Sequence, residues 1–533
     1  MARRAALVLT AIVALGACDA PADPPMPRAR TSGGANASQV AGGGAALEAA
    51  PPNQRPLALP GSAVGQGAIG APAEASEPRE EPLALGPEEL VSIATETSIY
   101  AEPRWGSRRL GYLRAGAAVR RTHAQVATGP KCSEGWYGVE PRGYVCVGSM
   151  ASLELNHPVA LASARRPQLD GLPYVYALSR SPPPALYGKL PTRAEQRRFE
   201  DDLDKHPIEA PTASADPSGS GGANFTTSST DDDSVPAWLL PGQPSLSLGN
   251  LWHAPDRVML GHARARSGYA LLSIFGGEGR RFGVTTGLEV LPIDRVRLVR
   301  PSAIPFAGIA LSGEVTLPVA FVKRQGAMIR PLGPQGLGAG RALAYREAVP
   351  LTGEVRTLDG AEYLVTREGG LLLASQCVIA RPLRTPPAWA REGAKWIDIS
   401  IPRQVLVAYE GERPVYTTLV STGAGGTGDP TTTSATVQGA FRIYEKHITV
   451  TMDGEPQSDS FDLHDVPFVQ YFNEGYALHG VYWHDDFGHL HSHGCVNLAP
   501  RDAAWLFGFT DPRVPPGWHG VTSKGGTIVY VHD

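Results

Sequence analysis

The sequence predicts a mainly β, multidomain protein with one or two small β-barrel modules and a larger β-rich C-terminal domain. Two observations over its 533 residues lead to this fold class. Short runs of β-branched and aromatic residues alternate with glycine-containing turns over much of the chain. Stretches rich in Ala, Pro, Gly and Ser interrupt these runs and divide the chain into separate units.

Composition and charge narrow the class of function. Lysine and arginine total 48, aspartate and glutamate total 52, and the formal net charge is -4 at pH 7. This balance gives no basic excess that would attract a phosphate backbone, so no nucleic-acid partner is predicted. No apolar run beyond the N-terminal segment is long enough to cross a bilayer as a helix.

Residues 1–18 are predicted to be a lipoprotein signal peptide. Arg3 and Arg4 precede an apolar run that is too short to span a membrane. The run ends in Leu-Gly-Ala-Cys, which resembles a lipobox in which Cys18 would be lipidated. An ordinary signal peptide is the alternative. Either interpretation predicts export to the cell envelope or periplasm, and the first predicts a lipid anchor in a membrane.

Two segments have compositions that cannot bury enough apolar surface to fold. Residues 19–90 consist largely of Ala, Pro, Gly and Glu with almost no aromatic residues, and they are predicted to be a disordered tether. Residues 208–247 include SADPSGSGG and SSTDDD and are predicted to be a flexible linker.

Residues 91–153 are predicted to form a small β-barrel. The runs TSIYAEP, RLGYLRAGAAVRR, GWYGVE and GYVCVG alternate with glycine turns. Their order resembles the bacterial Src-homology-3-like domain, which in exported proteins implies cell-wall binding. Cys132 and Cys146 bracket a hairpin-like stretch, and in an exported protein this arrangement predicts a disulfide.

The middle of the chain is predicted to contain a connector and a second β-rich unit. Residues 154–207 form the connector, with a helix that begins at the capping-box pair Thr192 and Glu195 and stops by Pro207. Residues 248–392 faintly repeat the layout of the first barrel and are interpreted as a second, divergent barrel, with an unrelated β-domain as the alternative. Cys377, in an apolar run, is expected to be a buried small hydrophobe.

Residues 393–533 are predicted to be a mostly β domain large enough to house a catalytic site. The runs WIDISI, QVLVAYE, VYTTLVSTG, GAFRIYEKHITVT and TIVYVHD indicate strands. One helix is predicted over residues 500–507, because Pro500 suits a first helical turn and Gly508 a helix end.

The stretch LHGVYWHDDFGHLHSHGCVNLAP concentrates the reactive residues of this domain. It offers the zinc-ligand types His479, His484, Asp485, Asp486, His489, His491, His493 and Cys495. Their spacing matches neither a zincin helix nor a Cys-x-x-Cys site, so neither metal nor cofactor is predicted, with zinc kept as an alternative. Asp485 and Asp486 are interpreted as a solvated turn, and His484, His489 and His491 as surface or lid residues.

The same stretch also suits a cysteine nucleophile. A thiol attacks as the thiolate and needs a base, and Cys495 has candidates in His479 and His493. Gly494 permits a tight turn that could direct successive N–H groups toward one point, as a tetrahedral oxyanion requires. The residues therefore predict an acyl-transfer site centred on Cys495.

Ser492-His493-Gly494-Cys495-Val496-Asn497, preceded by His479-Gly480, resembles the signature of the L,D-transpeptidase family. The resemblance extends over about residues 394–533 and includes TVQGAFRIYEKH, in which Val437 stands where the family usually has proline. It implies a β-sandwich-like fold and an enzyme that cross-links or modifies peptidoglycan through a cysteine acyl-enzyme.

The resemblance also implies a role for each residue of the signature. Cys495 would be the nucleophile, His479 the general base and acid, and the Gly480 carbonyl the group that orients the imidazole. The N–H groups of Gly494 and Cys495 would form the oxyanion hole. Supporting and substrate-binding roles would fall to His493, Ser492 and Asn497 and to Tyr482 and Trp483, respectively. Rim or core packing is the alternative for the two aromatic residues.

The implied substrate is a peptidoglycan tetrapeptide stem that loses its terminal D-alanine. The acyl group would pass to an amine of another stem. Transfer to water, which makes an L,D-carboxypeptidase, and attachment of a protein to peptidoglycan are alternatives with the same site. A wall-binding scaffold without activity is the alternative from a different functional class.

Overall fold

A computed structural model describes residues 83–201, 203, 234–248, 257–299, 308–453 and 462–533. Cys18, the rest of the predicted signal peptide, nearly all of the predicted tether and most of the predicted linker lie outside the described residues. The predicted mainly β, multidomain fold class is confirmed. Among the described helices, none combines the length and apolar character needed to cross a membrane.

The first barrel is built from strands of two sheets and begins a few residues before the predicted boundary. Its strands are β1 (Leu85–Ser92), β2 (Thr97–Tyr100), β3 (Arg109–Leu113), β4 (Ala118–Thr122), β5 (Ala127–Gly129), β6 (Cys132–Gly138), β7 (Tyr144–Cys146) and β8 (Ala151–Ser152). Leu90, Ile99 and Val145 are fully buried at its centre. A disulfide joins Cys132 to Cys146, whose Cα atoms are 5.8 Å apart, and links β6 to β7.

The second barrel includes residues on both sides of the predicted linker. After α1 (Pro158–Ala162), its elements are β9 (Val175–Ser179), β10 (Ala185–Tyr187), α2 (Arg193–Phe199), β11 (Met259–His262), β12 (Gly268–Gly277), β13 (Arg280–Thr285), β14 (Val290–Pro292) and β15 (Val296–Leu298), with 3-10 turns at Ala237–Leu239 and Ile293–Arg295. The capping box on α2 is confirmed, because Thr192 and Glu195 each accept the other's backbone N–H. The helix ends at Phe199, and Pro207 lies outside the described residues.

The third barrel occupies most of the remaining middle segment. After β16 (Ile309–Ala310), its strands are β17 (Val319–Val322), β18 (Met328–Arg330), β19 (Leu332–Gly333), β20 (Gly336–Leu337), β21 (Arg341–Ala342), β22 (Ala348–Leu358), β23 (Ala361–Thr366), β24 (Leu371–Leu373) and β25 (Cys377–Ala380), with a 3-10 turn at Ala374–Gln376. The short α3 (Ala388–Arg391) follows.

The three barrels share one pairing scheme. In each, an opening strand (β1, β9 or β17) pairs antiparallel with a closing strand (β8, β15 or β25) and with a central strand (β4, β12 or β22). Strands β9 and β10 come from the segment predicted to be a connector, and they pair with strands beyond residue 257. The predicted linker is therefore an insertion between β10 and β11 of the second barrel, and the described chain has three such units where the sequence indicated one or two.

In its described residues, the C-terminal domain is a sandwich of two sheets with one helix. Its elements are β26 (Lys395–Ser400), β27 (Val405–Glu410), β28 (Arg413–Leu419), β29 (Gly439–Arg442), β30 (Glu445–Asp453), β31 (Asp462–Asn473), β32 (Tyr476–Gly480), β33 (Val496–Leu498), α4 (Pro500–Phe509), β34 (Gly520–Thr522) and β35 (Ile528–His532). One sheet has the order β16-β28-β27-β26-β35-β29, and the other runs β34-β30-β31-β32-β33. Ile397, Leu406, Phe472 and Leu478 are among the buried side chains between them.

The outer faces of the sandwich are covered as well. Val319 and Phe321 of the third barrel share an apolar cluster with Trp396 and Val407 of the first sheet. On the other side, side chains from the first two barrels pack on β30, β31 and β32. Because β27 is covered on both faces, its residues 405–409 are all buried, whereas a half-exposed strand would alternate.

Candidate active site

The candidate base lies on β32, and the candidate nucleophile immediately precedes the adjacent parallel strand β33. β32 pairs with β33 so that Leu478 faces Val496 and His479 faces Asn497. Leu478 and Val496 point into the core of the sandwich. Because side chains alternate along a strand, His479 points to the opposite face, where Cys495 packs against the apolar cluster that contains Ala477. The structure therefore brings His479 and Cys495 to the same face of the sheet.

His479 is held in one tautomer. Its ring is 3% exposed, and Nδ1 lies 3.0 Å from the carbonyl oxygen of Gly480. A carbonyl can only accept, so Nδ1 carries the proton, and in the neutral ring Nε2 is left with a lone pair. Burial lowers the pKa of His479 to about 4, although the Gly480 hydrogen bond opposes this effect. At neutral pH the ring is therefore an uncharged base.

Cys495 is a free thiol in an apolar setting. Burial raises the pKa of the Cys495 thiol to about 11, and a hydrogen bond with the Ala477 backbone opposes this effect. The thiol donates to the carbonyl of Gly475, 3.7 Å from Sγ, in the turn between β31 and β32. With its pKa raised in this way, the resting cysteine is protonated at neutral pH.

The turn before Cys495 is fixed by two hydroxyl groups. Ser492 Oγ donates to the carbonyl of Cys495 and accepts the N–H of Gly494 at 3.1 Å. Thr436 Oγ1 donates to the carbonyl of Gly494 at 2.8 Å and accepts the N–H of Gly423 at 2.8 Å. Thr436 was not singled out from the sequence, although it is the threonine of the TVQGAF motif.

The backbone conformation and the close packing at position 494 both require a glycine. Its φ of +130° is rarely adopted by side-chain-bearing residues, and a Cβ there would lie 2.6 Å from a ring carbon of Tyr476. Its N–H is engaged by Ser492, so this group would have to exchange that hydrogen bond to join the predicted oxyanion hole.

The two candidate substrate-binding aromatic residues have different surroundings. Trp483 is partly buried, and its ring lies 5.9 Å from that of His479. Tyr482 is 5% exposed, stacks on Tyr176 of the second barrel at 4.2 Å and donates to the carbonyl of His464. Its position suits packing between domains, whereas Trp483 stands beside the base.

The remaining polar residues of the stretch form a network around Asn497. The side-chain amide of Asn497 lies 2.9 Å from Nε2 of His484, whose ring is 4.0 Å from that of His491. Burial, followed by the influence of His491, lowers the pKa of His484 well below its usual value. His493 is partly buried two residues before Cys495. This network ties the loop before the nucleophile to β33 through Asn497.

The two aspartates and the outer histidine make separate contacts. Asp485 forms a bidentate ion pair with Arg346 of the third barrel, at 2.7 and 2.8 Å. Asp486 Oδ1 lies 2.7 Å from Nδ1 of the exposed His489. Within the part of the chain that the structure describes, no group of three or more His, Cys, Asp or Glu side chains is arranged to hold a metal ion.

Comparison with known proteins identifies the C-terminal domain. Residues 394–531 match the family model of the L,D-transpeptidase catalytic domain (YkuD). This match confirms the family that the Ser492-to-Asn497 signature predicts for this part of the chain. A search of curated proteins finds no match.

Solved structures similar to this chain include three L,D-transpeptidases. They are the enzymes of Xylanimonas cellulosilytica DSM 15894 (23% identity over 29% of this chain and 64% of that one, TM-score 0.21) and Stackebrandtia nassauensis (26% identity over 26% and 56%, TM-score 0.19), and the catalytic domain of the E. faecium enzyme (21% identity over 26% and 98%, TM-score 0.20). This chain thus spans less than two thirds of the first two proteins.

Proposed function

We propose that the protein is a peptidoglycan L,D-transpeptidase that works through a cysteine acyl-enzyme. The observation that carries this proposal is the placement of a buried, neutral His479, its Nδ1–H on the Gly480 carbonyl, on the same sheet face as Cys495. The carbonyl takes the orienting part that a carboxylate has in a serine-protease triad. The family match of residues 394–531 supplies the substrate class.

The proposed reaction has two acyl transfers. Cys495 Sγ attacks the carbonyl carbon before the terminal D-alanine of a tetrapeptide stem while its proton passes to His479 Nε2. The C–N bond then breaks, D-alanine leaves with that proton on its amine, and a thioester remains. An amine of a second stem attacks the thioester, gives its surplus proton to His479, and the resulting amide departs as the thiol is restored.

The neutral charge state of the pair decides how the first step proceeds. With the pKa of Cys495 raised and that of His479 lowered, a preformed thiolate–imidazolium pair is disfavoured. Proton transfer therefore accompanies attack on the carbonyl. Ion-pair character develops only with the bound substrate, when negative charge moves onto the carbonyl oxygen and N–H groups such as that of Cys495 can stabilise it.

Intact-protein mass spectrometry tests this function. Residues 19–533 are incubated with a carbapenem and with a diaminopimelate-containing tetrapeptide, because the apolar outer faces of the C-terminal sandwich are covered by the barrels. We expect one acyl adduct and loss of D-alanine. Cys495→Ala should abolish both, while Cys377→Ala, which removes the other free cysteine, should retain both.

The product separates the acceptors. A cross-linked dimer supports transpeptidation, and a tripeptide indicates an L,D-carboxypeptidase with the same site. A folded wild-type chain that gives neither adduct nor turnover would contradict the proposal and favour a wall-binding scaffold.

The same proposal includes export and anchoring through Cys18, with the barrels as Src-homology-3-like modules that hold the catalytic domain near the wall. A lipid-modified Cys18 that carries more than one acyl chain would keep the enzyme at a membrane surface. We expect Cys18→Ala to move the protein from the membrane fraction to the soluble fraction of the envelope, measured by immunoblot. Wild-type protein in the soluble fraction would contradict the anchor.

A further inference from the structure

The third barrel contacts the loop that connects the base to the nucleophile. This loop, residues 481–495, joins β32 to β33 and contains Trp483. Besides the apolar cluster that Val481 and Trp483 share with the barrel, three positions within residues 485–488 contact it. The barrel can therefore stabilise one conformation of a loop that ends at Cys495.

The first contact is an ion pair with one buried partner. Arg346 lies between β21 and β22, its side chain is 5% exposed, and both of its terminal nitrogens bind the carboxylate of Asp485. Its backbone has φ of +66° and its N–H donates to the carbonyl of Val322 at 2.8 Å, so the guanidinium is presented from a fixed position. Bidentate pairing of this kind fixes direction as well as distance.

The second and third contacts hold the following residues. Lys323, which extends β17, donates from Nζ to the carbonyl of Gly488. Phe487 is 1% exposed, packs in the apolar cluster of Phe321, and lies under the guanidinium of Arg346 at 5.5 Å. Gly488 in turn donates its N–H to the carbonyl of Val420 at 2.9 Å.

These contacts lead directly to the reacting groups. His484 precedes Asp485 and binds the amide of Asn497, two residues after Cys495. Trp483 stands beside the ring of His479. A shift of Asp485 would therefore move both the indole that flanks the base and the imidazole that supports the strand of the nucleophile.

We propose that the third barrel is a positioning module for the active site, in which Arg346 and Lys323 hold residues 485–488 so that Trp483 stays against His479. This inference rests on the proposed function but assigns no catalytic step to the barrel. Arg346 and Lys323 act on the active site only through the loop. The barrel would thus contribute to the activity of the enzyme in addition to any wall binding.

Substitution of both partners of the ion pair tests the proposal. Asp485→Asn removes the charge at a half-exposed position, and Arg346→Asn suits a residue with positive φ. We expect each variant to lower the carbapenem acylation rate about 10-fold or more, since small displacements at a reacting site are costly. Hydrogen exchange of amides 485–491 should accelerate in both, and more than that of the amides in the strands of the third barrel.

A double-mutant cycle and a matched control complete the design. The double variant should be no slower than either single variant, because both remove one interaction, and Asp485→Glu should recover most of the rate. Arg341→Asn breaks an exposed ion pair with Glu347 inside the same barrel and should change neither acylation nor loop exchange. Unchanged exchange of residues 485–491 in both single variants would overturn the proposal. This readout remains decisive if the wild-type protein proves not to be an acyltransferase.

Discussion

His479 and Cys495 have protonation states that differ from those of cysteine enzymes with a preformed ion pair. Burial shifts the two pKa values in opposite directions, to about 4 for the imidazole and to about 11 for the thiol. Both groups are therefore uncharged over the whole neutral range. A small electrophile that needs a free thiolate should therefore react slowly with Cys495, whereas in the proposed reaction His479 assists the attack on a bound acyl substrate.

The pH dependence of alkylation follows from these values. In a Cys377→Ala background, the rate of Cys495 modification by iodoacetamide should rise about tenfold per pH unit from pH 7 and level off only near the thiol pKa. Mass spectrometry of samples quenched over time gives the rate. His479→Gln should leave this profile nearly unchanged while abolishing turnover. A plateau already at neutral pH would contradict a neutral resting pair.

At the scale of elements, the strands around the site could be predicted because their signals are local. The Ser492-to-Asn497 signature and the apolar alternation from Trp396 onward are contiguous in sequence, and the structure places the signature at the start of β33. The predicted helix was too short by two residues, because α4 continues through Gly508 to Phe509. Lys446 of β30 donates to the carbonyls of Phe507 and Thr510, which satisfies this helix end from a distant part of the chain.

Elements that depend on distant partners could not be predicted in the same way. β9 and β10 are short strands that gain their hydrogen bonds from β11, β12 and β15, beyond the linker. The residues around Asp485 predict a solvated turn, but Arg346, 139 positions earlier in the chain, binds the carboxylate of Asp485. For Tyr482 the sequence left open a substrate groove or packing at the rim or in the core, and the ring of Tyr176 in the second barrel stacks on it. In each case the sequence lacks any local sign of the partner.

At the scale of the whole molecule, Asp465 of β31 joins three domains. Its carboxylate binds Arg114 of the first barrel, Thr286 of the second barrel at 2.5 Å and Thr449 of the sandwich at 2.6 Å. Tyr176 of the second barrel donates to its backbone carbonyl at 2.7 Å. Asp465 is 1% exposed, so the sandwich cannot separate from either barrel without leaving a buried charge or its partners unpaired.

The contacts of Asp465 should make the stability of the protein depend on pH in the acid range. Burial alone would raise the pKa of Asp465, but Arg114 and the hydroxyl donors outweigh it and lower the pKa to about 2. A carboxyl group with a depressed folded-state pKa contributes stability above its unfolded value, near 4, and that contribution disappears as the pH falls toward 2. The loss over this window should be about 2 kcal/mol, measured as the urea midpoint of tertiary unfolding between pH 7 and pH 2.

Asp465→Asn should lower stability at pH 7 by about 3–5 kcal/mol and flatten this acid dependence, because Arg114 is left without a charged partner. Asparagine tolerates the φ of +54° at this position, so the change does not add backbone strain. Asp462→Asn is the matched control: it lies on the same strand and pairs with Arg264 of the second barrel, but both side chains are partly exposed. That pair should contribute less than about 1 kcal/mol. Equal losses of stability in the two variants would show that the buried contacts of Asp465 do not hold the barrels against the sandwich.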